Sequence, residues 1–77
     1  MSKLNSILKE VFNLKDDHFS DDMEITKFKE WDSMAHMFLI TKIEETYNVM
    51  LEGNEIASMN TIGEIKKILE NHKVSEL

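Results

Sequence analysis

The apolar residues of this chain recur at helical spacing in three separate segments, and this pattern restricts the possible folds most strongly. In the first segment they occupy positions i, i+3, i+4, i+7 and i+8: Leu4, Ile7, Leu8, Val11 and Phe12. This spacing places them on one side of a helix, so we predict a first helix from about Ser2 to Leu14. No segment alternates apolar and polar residues at any length. The pattern therefore indicates an all-α protein.

A second helix is predicted from Ser33 to Asn48, because Asp32 is a favourable N-cap and the segment contains neither Gly nor Pro. At 100° per residue, the face expected in the core consists of Met37, Leu39, Ile40, Ile43 and Tyr47. Met34 and Phe38 are four residues apart and are expected on the outward side. We interpret His36 as a residue at the edge of the core, either hydrogen-bonded or partly solvated, and not as a catalytic base.

The segment from Lys15 to Asp32 lacks helical periodicity and is rich in Asp and Ser, which is typical of a loop. Eighteen residues is long for a connection, so we expect its apolar residues to pack it against the bundle: Phe19, Ile25, Phe28 and Trp31. After a loop from Val49 to Asn54, with Gly53 as its turn residue, a short helical turn is predicted from Glu55 to Met59.

The last helix is predicted to open with a capping box formed by Thr61 and Glu64 and to end near Asn71. Its expected apolar stripe is Ile62, Ile65, Ile68 and Leu69. The predicted fold is a small three- to four-helix bundle with a long first loop, organised as one domain over residues 1–77.

Composition excludes several classes of protein. The chain has no Cys for disulfides, and its net charge of −6 would repel nucleic acid and anionic lipid surfaces. Its longest apolar run is four residues, whereas a membrane span needs about 20. The first 14 residues lack the continuous apolar stretch of a signal peptide. We expect a cytoplasmic monomer, without stable membrane insertion, whose partners are basic proteins.

The segment Glu30-Trp31-Asp32-Ser33-Met34 places a hydroxyl at the first position of a helix, after a long loop and beside an acidic cap. Free backbone N–H groups and the helix dipole favour an anion at such a position. Asp32-Ser33-Met34 resembles the Asp-Ser-Leu motif that opens the second helix in the acyl carrier protein family. The resemblance continues through the rest of the chain, at Glu44-Glu45, Tyr47, the short third helix and Thr61-Ile62.

This resemblance implies that a phosphopantetheinyl transferase moves 4'-phosphopantetheine from coenzyme A onto Ser33. Acyl cargo would then be carried as a thioester and delivered to partner enzymes of lipid or specialised acyl biosynthesis that load and transfer acyl groups. Because the chain has no Cys, the thiol must come from the attached group. The resemblance also implies that Asp32 contacts the metal of the transferase. We expect no enzymatic activity and no metal site in the chain itself.

The outward side of the second helix departs from that of carriers in bacterial fatty acid synthesis, which is densely acidic. Ala35, Phe38 and Lys42 occupy outward or flanking positions here, so only Glu44 and Glu45 remain of the acidic stripe. We therefore expect a specialised carrier. Its candidate partner-binding residues are Asp32, Met34, Phe38, Glu44, Glu45 and Ile56. Met34, Met37, Met50 and Met59 are candidates to line an adaptable internal cavity for an acyl chain, although plain core filling explains them equally well.

Two alternatives to an acyl carrier remain open. One is an aminoacyl, peptidyl or D-alanyl carrier, because those proteins often show Trp-Asp-Ser, which stands here at residues 31–33. The other is an acidic helical interaction module with no covalent chemistry. A calcium-binding loop that includes Asp16 to Glu24 is disfavoured, because there is no glycine at the turn and no bidentate Glu at the twelfth loop position, counted from Asp16 or Asp17.

Overall fold

The computed structural model describes residues 3–15 and 18–74, and these form a bundle of four helices. The helices are α1 (Lys3–Phe12), α2 (Ser33–Tyr47), α3 (Gly53–Ser58) and α4 (Ile62–Asn71), with a 3₁₀ turn at Ile25–Lys27. Within the described ranges, the only β-type pairing is a single isolated bridge. The predicted all-α bundle is confirmed. The predicted start of the first helix at Ser2 and the first residues of the rejected calcium loop lie outside the described residues.

The core is built mainly from the apolar stripes of α1 and α4, as their spacing predicts. The buried residues of these helices are Leu4, Ile7, Leu8 and Phe12 in α1, and Ile62, Ile65, Ile68 and Leu69 in α4. From α2, Leu39, Ile40 and Ile43 join them. Burying each such side chain stabilises the fold by about 1.5–3 kcal/mol relative to leaving it in water. Hydrophobic packing is therefore the main source of stability in a chain without disulfides.

The prediction that Met37 belongs to the core is wrong, because its side chain is 54% exposed. The buried face of α2 consists of Leu39, Ile40 and Ile43, with Tyr47 half-buried beside them. At 100° per residue, Met37 lies roughly 110° from the centre of that face. It therefore belongs to the outward face of α2, beside Met34 and Phe38.

Two asparagines end the first two helices. Asn13 and Asn48 adopt left-handed backbone conformations, with φ of 53° and 55°. Asn tolerates this region better than most residues, and the turn lets the next amide reach back to the helix. The Leu14 N–H donates to the Lys9 carbonyl at 3.0 Å, and the Val49 N–H donates to the Glu44 carbonyl at 3.3 Å. These caps end α1 and α2 one or two residues before the predicted ends.

The predicted turn at Gly53 is also wrong, because α3 begins at that residue. The backbone N–H of Glu52 donates to Glu55 Oε1 at 2.9 Å, as part of a capping box that starts the helix earlier than predicted. Gly53 has no positive φ and therefore needs none of the conformational freedom of a turn glycine. The predicted capping box of Thr61 and Glu64 at the start of α4 is confirmed.

The long first loop is packed against the bundle by its apolar residues, as predicted. Ile25 is fully buried, and the rings of Phe12 and Phe28 have centroids 5.1 Å apart. Phe19 contacts Phe28 edge-on, with centroids 6.2 Å apart, and Trp31 is half-buried against the core. Aromatic pairs at these distances add about 0.5–1.5 kcal/mol each beyond their burial.

Backbone hydrogen bonds join the same loop to the start of α4. The Ile25 N–H donates to the Asn60 carbonyl at 2.8 Å, and the Ile62 N–H donates to the Met23 carbonyl at 3.0 Å. Gly63 N–H then donates to the Asp21 carbonyl at 2.8 Å. A Cβ at Gly63 would lie 3.0 Å from that same oxygen, so the close approach of the loop favours glycine here.

None of the helices among the described residues is long and apolar enough to cross a membrane.

Candidate functional site

Ser33 is exposed at the first residue of α2, and Asp32 holds the start of that helix. Asp32 Oδ1 accepts a hydrogen bond from the Ala35 N–H at 2.7 Å, and the Asp32 carbonyl accepts from the His36 N–H at 3.0 Å. The Asp32 side chain therefore satisfies one of the free amides of the first turn. None of the hydrogen bonds among the described residues uses the Ser33 hydroxyl. This hydroxyl is accessible to a reagent from solvent.

The residues before Ser33 are held by an aromatic contact at the edge of the core. The Trp31 N–H donates to the Phe28 carbonyl at 3.0 Å, which closes a turn two residues before the serine. The Trp31 ring packs edge-on against His36, with centroids 6.2 Å apart. His36 is half-buried, and its Nε2 lies 3.3 Å from the carbonyl oxygen of Ile56 in α3. His36 therefore lies at the edge of the core, as predicted, and of the two alternatives, hydrogen-bonded or partly solvated, the contact with Ile56 supports the first.

Beside Ser33 runs an open groove of about 520 Å³ between the end of α1 and the outward face of α2. Its apolar wall consists of Val11, Met34, Ala35, Met37 and Phe38. Glu30 and Asp32 line it at the serine end. Within the described residues four large apolar side chains are exposed, and three of them are on this wall: Met34 (81%), Met37 (54%) and Phe38 (50%). The fourth is Met50 (82%), outside the groove.

The predicted internal methionine cavity is not supported by these positions. Met34, Met37 and Met50 are exposed, and of the four candidates only Met59 is buried in the core. Met34 and Met37 are exposed because the side of α2 that faces the core is occupied by Leu39, Ile40 and Ile43. The methionines of α2 therefore face the outside groove.

The candidate partner-binding residues fall into two groups. Asp32, Met34, Phe38 and Glu45 are exposed, and the last three lie on one side of α2. Glu44 and Ile56 are half-buried and have contacts within the fold: Glu44 Oε2 accepts from the Leu51 N–H at 2.9 Å, and the Ile56 carbonyl faces His36. Asp32, Met34 and Phe38 therefore lie near Ser33, whereas Glu45 lies about 18 Å further along α2. Glu44 holds the loop after α2.

Lys42 lies on the outward face of α2 and links that helix to α1. Its ammonium lies 3.2 Å from Glu10 Oε1 and 5.8 Å from the centroid of the Phe38 ring. The ion pair joins the two helices, and the ring contact is within the range of a cation–π interaction. Sequence reasoning identified Lys42 only as a departure from an acidic stripe and did not predict either contact.

α3 has no fully buried residue and is held in place by contacts to its neighbours. His72, after the end of α4, places its Nε2 2.9 and 3.0 Å from the two carboxylate oxygens of Glu55. The hydrogen bond from the Glu52 N–H, together with that from His72, lowers the pKa of Glu55. With the contact from His36 to Ile56, one histidine in α2 and one just after α4 therefore hold this short helix.

The described ranges contain no cluster of three or more His, Cys, Asp or Glu side chains that could hold a metal ion.

The fold and the site together define a four-helix bundle that exposes a serine at the start of its longest helix, after a packed loop. Among solved structures, this fold is similar to that of a proposed acyl carrier protein from Mycobacterium tuberculosis. The two structures have a TM-score of 0.81 at 13% sequence identity, over 90% of this chain and 92% of that chain. No protein-family model and no curated protein matches the sequence. The fold is that of an acyl carrier protein.

Proposed function

We propose that this chain is a carrier protein that receives 4'-phosphopantetheine on Ser33 and carries acyl groups as thioesters on that arm. The observation that carries the proposal is the exposed Ser33 hydroxyl at the start of a capped helix, in a bundle with the fold of an acyl carrier protein. The attached group supplies the thiol on which cargo is carried. The chain supplies the attachment point and a surface for its partners, and the catalysis belongs to those partners.

The attachment step is a phosphoryl transfer from coenzyme A, catalysed by a phosphopantetheinyl transferase. Ser33 Oγ forms a bond to the phosphorus that carries the pantetheine, and the bond from that phosphorus to the bridging oxygen of the pyrophosphate breaks. Adenosine 3',5'-bisphosphate leaves with the electron pair, and the serine proton passes to a base of the transferase. The residues at the site fit this product, because the first turn of α2 presents free amides and the positive end of a helix dipole to the phosphodiester.

The test is incubation with coenzyme A and a transferase of broad specificity, followed by intact mass measurement. We expect the wild-type chain to gain the mass of one phosphopantetheine, and Ser33→Ala to gain none. Ser20→Ala is the matched control, since Ser20 is also exposed but lies in the first loop, and it should be modified like the wild type. Circular dichroism should show both variants folded, because exposed substitutions usually change stability by less than about 0.5 kcal/mol.

A wild-type chain that stays unmodified, or a Ser33→Ala chain that is modified, would contradict the proposal. An unmodified chain that still binds a protein partner would instead indicate the non-covalent interaction module. Cargo identity, whether acyl or aminoacyl, is decided by the mass of the group released from the thioester.

Partner recognition in this proposal combines apolar contact with charge steering. Met34 and Phe38 provide the apolar contact, and the exposed carboxylate of Glu45 attracts a basic surface. Docking should then depend less on salt than a purely charged interface. We expect Phe38→Ala to slow turnover by a partner enzyme more than Glu45→Lys does. Unchanged turnover with Phe38→Ala, together with loss of turnover in Glu45→Lys, would show that charge alone guides docking.

A further inference from the structure

We infer that the groove between the end of α1 and α2 is the binding site for the acyl chain carried on Ser33. This inference rests on the proposed function and adds the place where the cargo lies when no partner is bound. This groove is on the outer surface of the bundle and is distinct from a cavity inside the core. The occupant is a linear aliphatic chain joined to the arm as a thioester.

The position of the groove is the first argument. Asp32 and Met34, the two neighbours of Ser33, both line it. Because an α-helix rises 1.5 Å per residue, Phe38 lies only about 7.5 Å further along α2. A chain at the end of a flexible arm on Ser33 is therefore within reach of this wall, at an effective concentration on the order of millimolar. Binding that would be weak for a free molecule is sufficient for a tethered one.

The chemistry of the wall is the second argument. The side chains of Met34, Met37 and Phe38 leave a large apolar surface in water, while Leu39, Ile40 and Ile43 occupy the core side of the same helix. Thr41 also lines the groove, and its hydroxyl donates to the Met37 carbonyl at 3.1 Å, so this hydroxyl already has a partner within the helix. Burial against such a wall favours methylene groups.

The same chemistry distinguishes the acyl chain from the arm itself. The pantetheine part of the arm contains two amides. The polar side chains that line the groove are those of Asn13, Glu30, Asp32 and Thr41, whereas the apolar side chains of Met34, Met37 and Phe38 provide no hydrogen-bond partner for an amide. An amide placed there loses its water partners without replacement, which is unfavourable. Methionine side chains are unbranched and flexible, so the wall can adapt to chains of different length. Volume supports the same occupant, because about 520 Å³ is within the range of small-molecule sites.

This site also connects cargo to docking. Met34 and Phe38 are candidate partner contacts, so an enzyme that docks on them displaces the chain from the groove. The chain is then free to enter the site of that enzyme.

Methionine methyl groups provide the direct test. The wild-type chain, labelled with ¹³C-methyl methionine, is loaded with acetyl- or octanoyl-phosphopantetheine from the corresponding acyl-coenzyme A, and loading is verified by intact mass. We expect octanoyl to shift the methyl signals of Met34 and Met37 well beyond the acetyl form. Met50, equally exposed but outside the groove, and Met59, buried in the core, are internal controls that should not move.

Each other outcome is decisive. Shifts at Met59 without shifts at Met37 would overturn the inference in favour of a chain inside the core. Equal shifts with acetyl and octanoyl would overturn it in favour of the arm, and complete loading without any shift would show an empty groove. All three leave the proposed function intact. Failure of the transferase to load the wild-type chain refutes the proposed function itself.

Thermal unfolding supplies an independent readout. Octanoyl loading should raise Tm above the acetyl form by about 4 °C or more, because a bound chain stabilises the folded state. Met37→Gln, which keeps the length of the side chain but makes it polar, should remove most of this increment. Met50→Gln is the matched control and should keep it. An increment that survives Met37→Gln would overturn the inference.

Discussion

The two glycines of the chain allow a paired test of how closely the first loop packs on α4. Gly63→Ala places a Cβ 3.0 Å from the Asp21 carbonyl oxygen and 3.1 Å from Asp21 Cβ, both shorter than an ordinary contact. The same oxygen accepts the Gly63 N–H at 2.8 Å, and Asp21 Oδ1 is 2.7 Å from the Lys66 ammonium. The loop therefore cannot move away without weakening both interactions.

Overpacking of this kind costs about 1–3 kcal/mol, and the better helix propensity of Ala offsets up to about 1 kcal/mol of that. We expect a net loss of roughly 1 kcal/mol, which corresponds to a fall in Tm of about 4–8 °C for a domain of this size. Gly53→Ala is the matched control, because a Cβ there meets nothing within 4 Å. That variant should be stabilised by about 0.4–1 kcal/mol.

Urea unfolding followed by circular dichroism measures both variants under the same conditions. We expect the changes in the free energy of unfolding at the two positions to have opposite signs. If Gly63→Ala is as stable as Gly53→Ala, or more stable, the loop does not pack on α4 at the distance described.

Three further predictions concern other parts of the fold. Asp32→Ala removes the acceptor for the Ala35 N–H and should destabilise the chain by about 1 kcal/mol in urea unfolding, whereas an unchanged midpoint would show that this cap is unimportant. Ile25→Ala empties a fully buried position in the loop and should cost about 2–5 kcal/mol; a loss below 1 kcal/mol would indicate a loop that is not part of the core. The hydrogen bond from the Thr61 N–H lowers the pKa of Glu64 from its ordinary value of 4.5. The stabilisation that this hydrogen bond gives is therefore present above pH 4.5 and is lost as pH falls through the lowered pKa. The stability difference between wild type and Glu64→Gln should therefore be present at pH 7 and shrink at pH 3, and a difference that grows on acidification would contradict this sign.

Much of the fold could be predicted from local patterns. The buried faces of α1 and α4 follow from residues with a strong helical period, and the starts of α2 and α4 follow from caps encoded within four residues. The core residues of the long loop could also be predicted, because large aromatic side chains in a polar segment need a place to pack. The helical features depend on interactions between near neighbours in sequence, whereas the burial of the loop residues is predicted from their apolarity alone.

The outward face of α2 could not be predicted in the same way. Met37 has the apolarity of a core residue, and the sequence alone cannot tell which side of α2 meets α1. The groove is formed only when Val11, from the end of α1, comes beside Met34 and Phe38. Similarly, the contacts of His36 and His72 with α3 join residues 17 to 20 positions apart. Such contacts depend on the packing of whole helices.

The proposed carrier function is tested most directly by the state of Ser33 in the chain purified from its native host. Tryptic cleavage gives a peptide of residues 30–42 in which Ser33 is the only serine. We predict that this peptide carries phosphopantetheine, with or without a thioester-bound group. An unmodified peptide from the host, combined with a chain that no phosphopantetheinyl transferase modifies in vitro, would contradict it.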